Sequence, residues 1–143
     1  MGGLCRTCEI FGASKLLLND LRLTKDHTFK RLAVSSDQWM TMEEVKEDDV
    51  SAYLDRLKAE EGYTVVGLEQ TSNSVSLTEF TFPQRTLLLL GNERAGLPTH
   101  LIRQLDICVE IPQCGLTRSL NVHVSGALSI YEYAKQHVFG DKK

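Results

Sequence analysis

Two short loops hold the residues best suited to chemistry. The first, Gly91-Asn92-Glu93-Arg94-Ala95-Gly96-Leu97-Pro98, sets one acid, Glu93, between two glycines. The second runs Ile-Pro-Gln-Cys-Gly-Leu-Thr-Arg-Ser-Leu-Asn-Val from Ile111 to Val122. Gly91 lets the backbone approach a ligand closely. A phosphate-cradling loop would need Gly-Lys-Ser/Thr, and a dinucleotide loop Gly-x-Gly-x-x-Gly; Gly91 and Gly96 lie five apart and fit neither. The first loop alone also suits a plain strand-to-helix turn with Glu93 solvated. In the second loop Ser119 is placed to cap a helix beginning at Leu120, and Asn121 falls in that helix's first turn, where free N–H groups favour a carboxylate or phosphate. Such a cap is structural in most proteins. Here it would also bring a hydroxyl and an amide beside Gly115, whose freedom lets the loop fold over a ligand.

The elements that must position these loops alternate along the chain. The pattern predicts a helix over residues 2–11 ending at Gly12, a short buried strand from Ser14 to Leu18, a helix from about Thr28 to Val34, and a loop holding Trp39. A surface helix follows from Asp49 to Glu61, with Val50, Tyr53, Leu54 and Leu57 at helical spacing and Gly62 closing it. Tyr63–Leu68, Arg85–Leu90 and Ile107–Ile111 read as buried parallel strands. Pro98 stands as a first helical residue for a helix to about Gln104. Leu120, Val124, Ala127, Leu128 and Tyr131 mark the buried stripe of a last helix reaching about Val138. Strands alternating with helices predict an α/β fold, a mostly parallel sheet with helices on both faces. Each loop would then lie beyond the carboxyl end of a strand, where ligands bind in such sheets.

At 143 residues the chain fits one domain (residues 1–143), able to bury roughly 70% of its unfolded surface. Four cysteines, no signal-peptide core and no apolar run near the ~20 residues of a membrane span predict a reducing intracellular location, cytoplasmic or nuclear, with no membrane partner. The net charge of −3 leaves no overall basic footprint, so a nucleic-acid partner would need a local cationic surface or further chain. The opening Met1-Gly2-Gly3, with a helix already under way, reads as an excised domain with an added start methionine.

The two loops, in this order, are similar to the second and third motifs of the SpoU/TrmH (SPOUT) RNA ribose 2′-O-methyltransferases. Gly2-Gly3-Leu4-Cys5-Arg6-Thr7-Cys8-Glu9-Ile10-Phe11-Gly12 resembles the first motif, an asparagine followed after five residues by an arginine. Arg6 takes the arginine position, and the asparagine would fall just before Met1. His123 departs from the family, which often has a small residue there.

The resemblance implies a deep trefoil knot in the last third of the chain, outside the usual rule against threading, and a homodimer. It implies S-adenosyl-L-methionine as cofactor, S-adenosyl-L-homocysteine as product, and an RNA substrate, the ribose of tRNA guanosine 18. The backbone around Leu68, Gly91, Ile111 and Leu120 would hold the adenosine. Ser119 and Asn121 would order the pocket and ribose, and Glu93 would orient the loops or the substrate. The donor brings its own electrophile, so the protein must bind it, align a 2′-hydroxyl and manage one proton, with no metal. Arg6 holds the family's base position, but a guanidinium stays protonated. A bidentate hold on an RNA phosphate, with stabilisation of the developing alkoxide, suits it better.

Other residues favour plainer roles. Cys5 and Cys8 form a Cys-x-x-Cys without a second pair, and His27, His100, His123 and His137 show no ligand spacing. Two other functions fit the same chain: a catalytically degenerate knotted domain acting in RNA binding or dimer assembly, and a cofactor-binding α/β domain with another substrate.

Overall fold

The computed structural model describes residues 1–91, 95–117 and 120–142. They form two compact units, Met1–Val50 with Ile130–Lys143, and Ser51–Ser129.

In the first unit, α1 (Gly2–Ile10) packs on α2 (His27–Ala33) through Leu4, Cys5 and Cys8 against Phe29 and Ala33. A side chain at Gly2 would run into the Phe29 carbonyl oxygen, so the approach of the two helices requires glycine there. Gly12, at φ +78°, turns the chain past the end of α1, as its position predicts. β1 (Leu16–Leu18) pairs in parallel with β2 (Met42–Glu44), a strand that Met-Glu-Glu gives no periodicity to reveal. Ser36 donates to Cys5 Sγ at 3.4 Å. Burial, and then the neighbouring Cys5, pushes the Cys8 thiol up to about 12, which leaves it an inert apolar group.

In the second unit, α3 (Val50–Glu61, of which Ser51 onward belongs here) buries Leu54 and Leu57. Gly62, at φ +68°, closes it, and the Tyr63 amide bonds back to the Leu57 carbonyl. Four strands follow, all parallel: β3 (Thr64–Leu68), β4 (Val75–Ser76), β5 (Thr86–Leu89) and β6 (Ile107–Glu110), in the order β4-β6-β3-β5. Central β3 is buried from Val65 to Gly67, whereas β6, also expected to be a buried strand, is buried only at Val109 and half-buried elsewhere; Val65, Val66 and Val109 have no exposed surface. Leu105 lies directly over Gly67, where a Cβ would stand 2.5 Å from its Cδ1. Lys58 reaches the Gln104 carbonyl and Asp106, and Asp106 Oδ2 accepts the Val65 amide at 2.8 Å, tying α3 to the strand ends. The α/β class and parallel pairing match the sequence reading, although the described strands form two sheets, of two and four strands.

Three expectations need correction. β5 is half-buried along its length because it lies at the sheet edge. The helix α4 is only Thr99–Ile102, and Pro98, extended at ψ 147°, precedes it as the capping residue. The last helix, α5 (Val122–His137), starts two residues later than Leu120. Four of the five residues of its predicted buried stripe, Leu120, Val124, Leu128 and Tyr131, are 41–48% exposed and Ala127 is half-buried, whereas Gly126, Ser129 and Ala134 are buried. Helical spacing finds an apolar face but not what covers it, and the residues that α5 buries are small ones. Tyr131 makes edge-on ring contacts with Phe11 and Phe139 at 5.5 and 5.7 Å.

Candidate active site

Because β6, β3 and β5 are adjacent and parallel, their carboxyl ends open on one edge of the sheet. A cleft of about 270 Å³ lies there. The exit of β3 contributes Leu68, Glu69 and Gln70; that of β5, Leu90, Gly91 and Gly96; that of β6, Glu110, Ile111 and Gln113. Leu120, Val122 and Ser125 close it from the start of α5.

The four residues expected to surround an adenosine, Leu68, Gly91, Ile111 and Leu120, therefore line one cavity. At Gly91 a Cβ would stand 2.5 Å from the Gly96 carbonyl carbon and 2.7 Å from the Leu97 nitrogen, so only glycine lets these backbone segments meet. Gly96 adopts φ +67°, the left-handed region. The Leu97 amide donates to Glu69 Oε1 at 2.7 Å.

The other expected residues are placed differently. Glu93 and Ser119 lie outside the described residues. Asn121 does not sit in the first turn of a helix; it caps α5, its Oδ1 accepting the amides of His123 at 2.7 Å and Val124 at 3.4 Å. The helix expected to begin at Leu120 thus begins at Val122, with Asn121 as its cap. Arg6 stands exposed on α1 in the first unit, and among the described residues no hydrogen bond or ion pair holds its guanidinium. Among the described residues no cluster of three His, Cys, Asp or Glu side chains is arranged to hold a metal ion, and no helix is long and apolar enough to cross a membrane.

Sequence reasoning missed Glu69, Gln70 and Glu110 as cleft residues. Glu69 and Gln70 directly follow β3, and the strand-tip argument applied to Glu93 would have singled them out.

Residues 1–131 match the SpoU rRNA Methylase family. Over 140 residues the chain is 55% identical to the mouse tRNA (guanosine(18)-2′-O)-methyltransferase TARBP1, covering 98% of this chain and 9% of that protein. It is 42% identical to the Saccharomyces cerevisiae tRNA (guanosine(18)-2′-O)-methyltransferase, covering 96% of this chain and 10% of that one. The chain thus spans about a tenth of the length of these relatives. The SpoU methyltransferase AviRb from Streptomyces viridochromogenes, solved in complex with the cofactor AdoMet, superposes with a TM-score of 0.80 at 27% identity, over 96% of this chain and 55% of that one. With this match across its strands, its cleft-forming loops and most of its length, the chain belongs to the SpoU rRNA methylase family.

Proposed function

We propose that this chain is the methyl-transfer domain of an S-adenosyl-L-methionine-dependent RNA ribose 2′-O-methyltransferase, acting on guanosine 18 of tRNA in a reducing intracellular compartment. The observation that carries this reading is the convergence of Leu68, Gly91, Ile111 and Leu120 on one cleft. The choice of nucleotide draws on the mouse and yeast relatives, both tRNA (guanosine(18)-2′-O)-methyltransferases.

The cleft suits the donor. Leu68, Leu90, Ile111 and Leu120 offer an apolar bed for a purine, Gly91 leaves the backbone free to approach it, and Glu110 presents a carboxylate to a cationic ligand. When bound, the donor supplies an electrophilic methyl group. The chain's own residues bind and align. Backbone after β3, β5 and β6 holds the adenosine end, Asn121 fixes the start of the helix closing the cleft, Ser119 orders the pocket, and Glu93 orients the loops or the substrate. Arg6 clamps an RNA phosphate and stabilises the developing alkoxide. If Arg6→Lys and Arg6→Ala both kept full transfer, Arg6 would have no such role.

Two structural features go with this reading. The last third of the chain forms a deep trefoil knot, a reading that rests on the match to the SpoU family and on the resemblance of the two loops to that family's motifs. The enzyme is a homodimer, supported by the exposed apolar face of Val124 and Leu128 on α5, with Leu120 exposed just before it.

Calorimetry with S-adenosyl-L-methionine and S-adenosyl-L-homocysteine tests the core of it, with saturable binding of both expected. Transfer of a labelled methyl group to tRNA should follow, and should vanish on tRNA already methylated at guanosine 18. Binding of neither compound would overturn the enzyme reading in favour of a knotted RNA-binding or assembly domain.

A further inference from the structure

Glu69 leaves the end of β3 and reaches across to the far side of the loop that follows β5. Its Oε1 accepts the Leu97 amide at 2.7 Å. Leu97 is buried, so water cannot readily replace that acceptor, and a charged acceptor makes the bond stronger than a neutral one. The preceding residue, Gly96, sits at φ +67°, and a Cβ there would stand 2.8 Å from the same Glu69 oxygen. Glycine is therefore required twice at this point, for the backbone conformation and for the carboxylate to close on the bend. The Gly96–Leu97 bend in turn bears on Gly91, which lines the cleft together with Glu69.

We propose that Glu69 is a positioning residue for the donor, locking the Gly96–Leu97 bend so that the backbone of Gly91 is held ready at the cleft. This rests on the reading of the cleft as the donor site. The exits of β3 and β5 would otherwise be two independent loops, and a ligand lying between them would have to order both on binding. One carboxylate fixes their spacing beforehand, which lowers the cost of binding without touching the methyl group.

The test compares Glu69→Gln and Glu69→Ala with the parent chain, reading the Kd for S-adenosyl-L-methionine and S-adenosyl-L-homocysteine by calorimetry, and donor KM and kcat by methyl transfer. The amide oxygen of glutamine can still accept the Leu97 N–H, so Glu69→Gln should bind within about threefold of the parent, whereas Glu69→Ala should bind both compounds about tenfold more weakly. Donor KM should rise in step with Kd while kcat at saturating donor holds, a split that mere loss of folded protein would not give. If alanine prevents folding, Glu69→Asp serves, its carboxylate too short to reach Leu97 and its binding weakened in the same way. Full affinity in Glu69→Ala overturns the proposal. Equal weakness in the glutamine and alanine variants also overturns it, because charge toward the donor and not the Leu97 bond would then be at work. A parent chain that binds neither compound removes the donor-site reading itself, and this proposal with it.

Discussion

Asn121 Oδ1 lies 2.7 Å from the His123 amide nitrogen, and this bond fixes where the helix closing the cleft begins. Without it the first amides of α5 would lack a side-chain partner. The same contact sets the line on which Val122 and Ser125 face the cavity.

Replacing Asn121 by alanine should therefore destabilise the chain by about 1 kcal/mol, whereas aspartate or serine should retain most of the stability. Urea unfolding at neutral pH measures this. An alanine variant as stable as the parent would show that the cap contributes nothing.

Gly91→Ala makes a sharper demand, since its Cβ would stand 2.5 Å from the Gly96 carbonyl carbon and a backbone atom cannot rotate away as a side chain can. The strand exit must move, at a cost of about 1–3 kcal/mol in overpacking. To the extent that this cost falls on the donor-bound form, affinity should drop by roughly five- to 140-fold, since about 1.4 kcal/mol equals a factor of ten. Calorimetry with S-adenosyl-L-homocysteine checks it, and unchanged affinity would remove Gly91 from the site.

Much of this arrangement is legible in the sequence. Gly12 and Gly62 announced two helix ends because positive φ selects glycine, and both adopt it. The strands Thr64–Leu68 and Ile107–Glu110 were legible as apolar runs, and with them the loops that follow. What could not be read is where one chain's interior stops. Val124 and Leu128 carry the same helical periodicity as a core stripe and yet are 44% exposed. Nor does sequence spacing reveal that Glu69 and Leu97, 28 positions apart, meet through a side chain and a backbone amide. Strands as short as Val75–Ser76 carry no period to detect.

Cys8 and Cys114 should behave oppositely toward alkylating agents. Cys114 is exposed, whereas Cys8 is buried with its thiol pushed up from 9.0 to about 12. Iodoacetamide at pH 8 should label Cys114 and spare Cys8, because the thiolate is the reactive form. Folding favours the neutral Cys8 thiol, so its contribution to stability is complete below about pH 9 and is lost as pH rises toward 12. Peptide mapping after labelling, and unfolding followed from pH 8 upward, check the two parts. Rapid labelling of Cys8 in the folded chain would contradict its burial.

Leu128→Glu tests the proposed dimer with little risk to the fold, because a side chain 44% exposed can carry a charge into water in the isolated chain. If a second copy covers this face, the same charge must be buried without a partner, at a cost of several kcal/mol. Sedimentation equilibrium should then show a dimer for the parent and a monomer for Leu128→Glu, with the circular dichroism of the two alike. Val124→Glu, one turn earlier on the same face, should act in the same direction. A parent chain that sediments as a monomer at every concentration would leave this apolar face without the second copy proposed for it, and a variant that still dimerises would place the interface elsewhere.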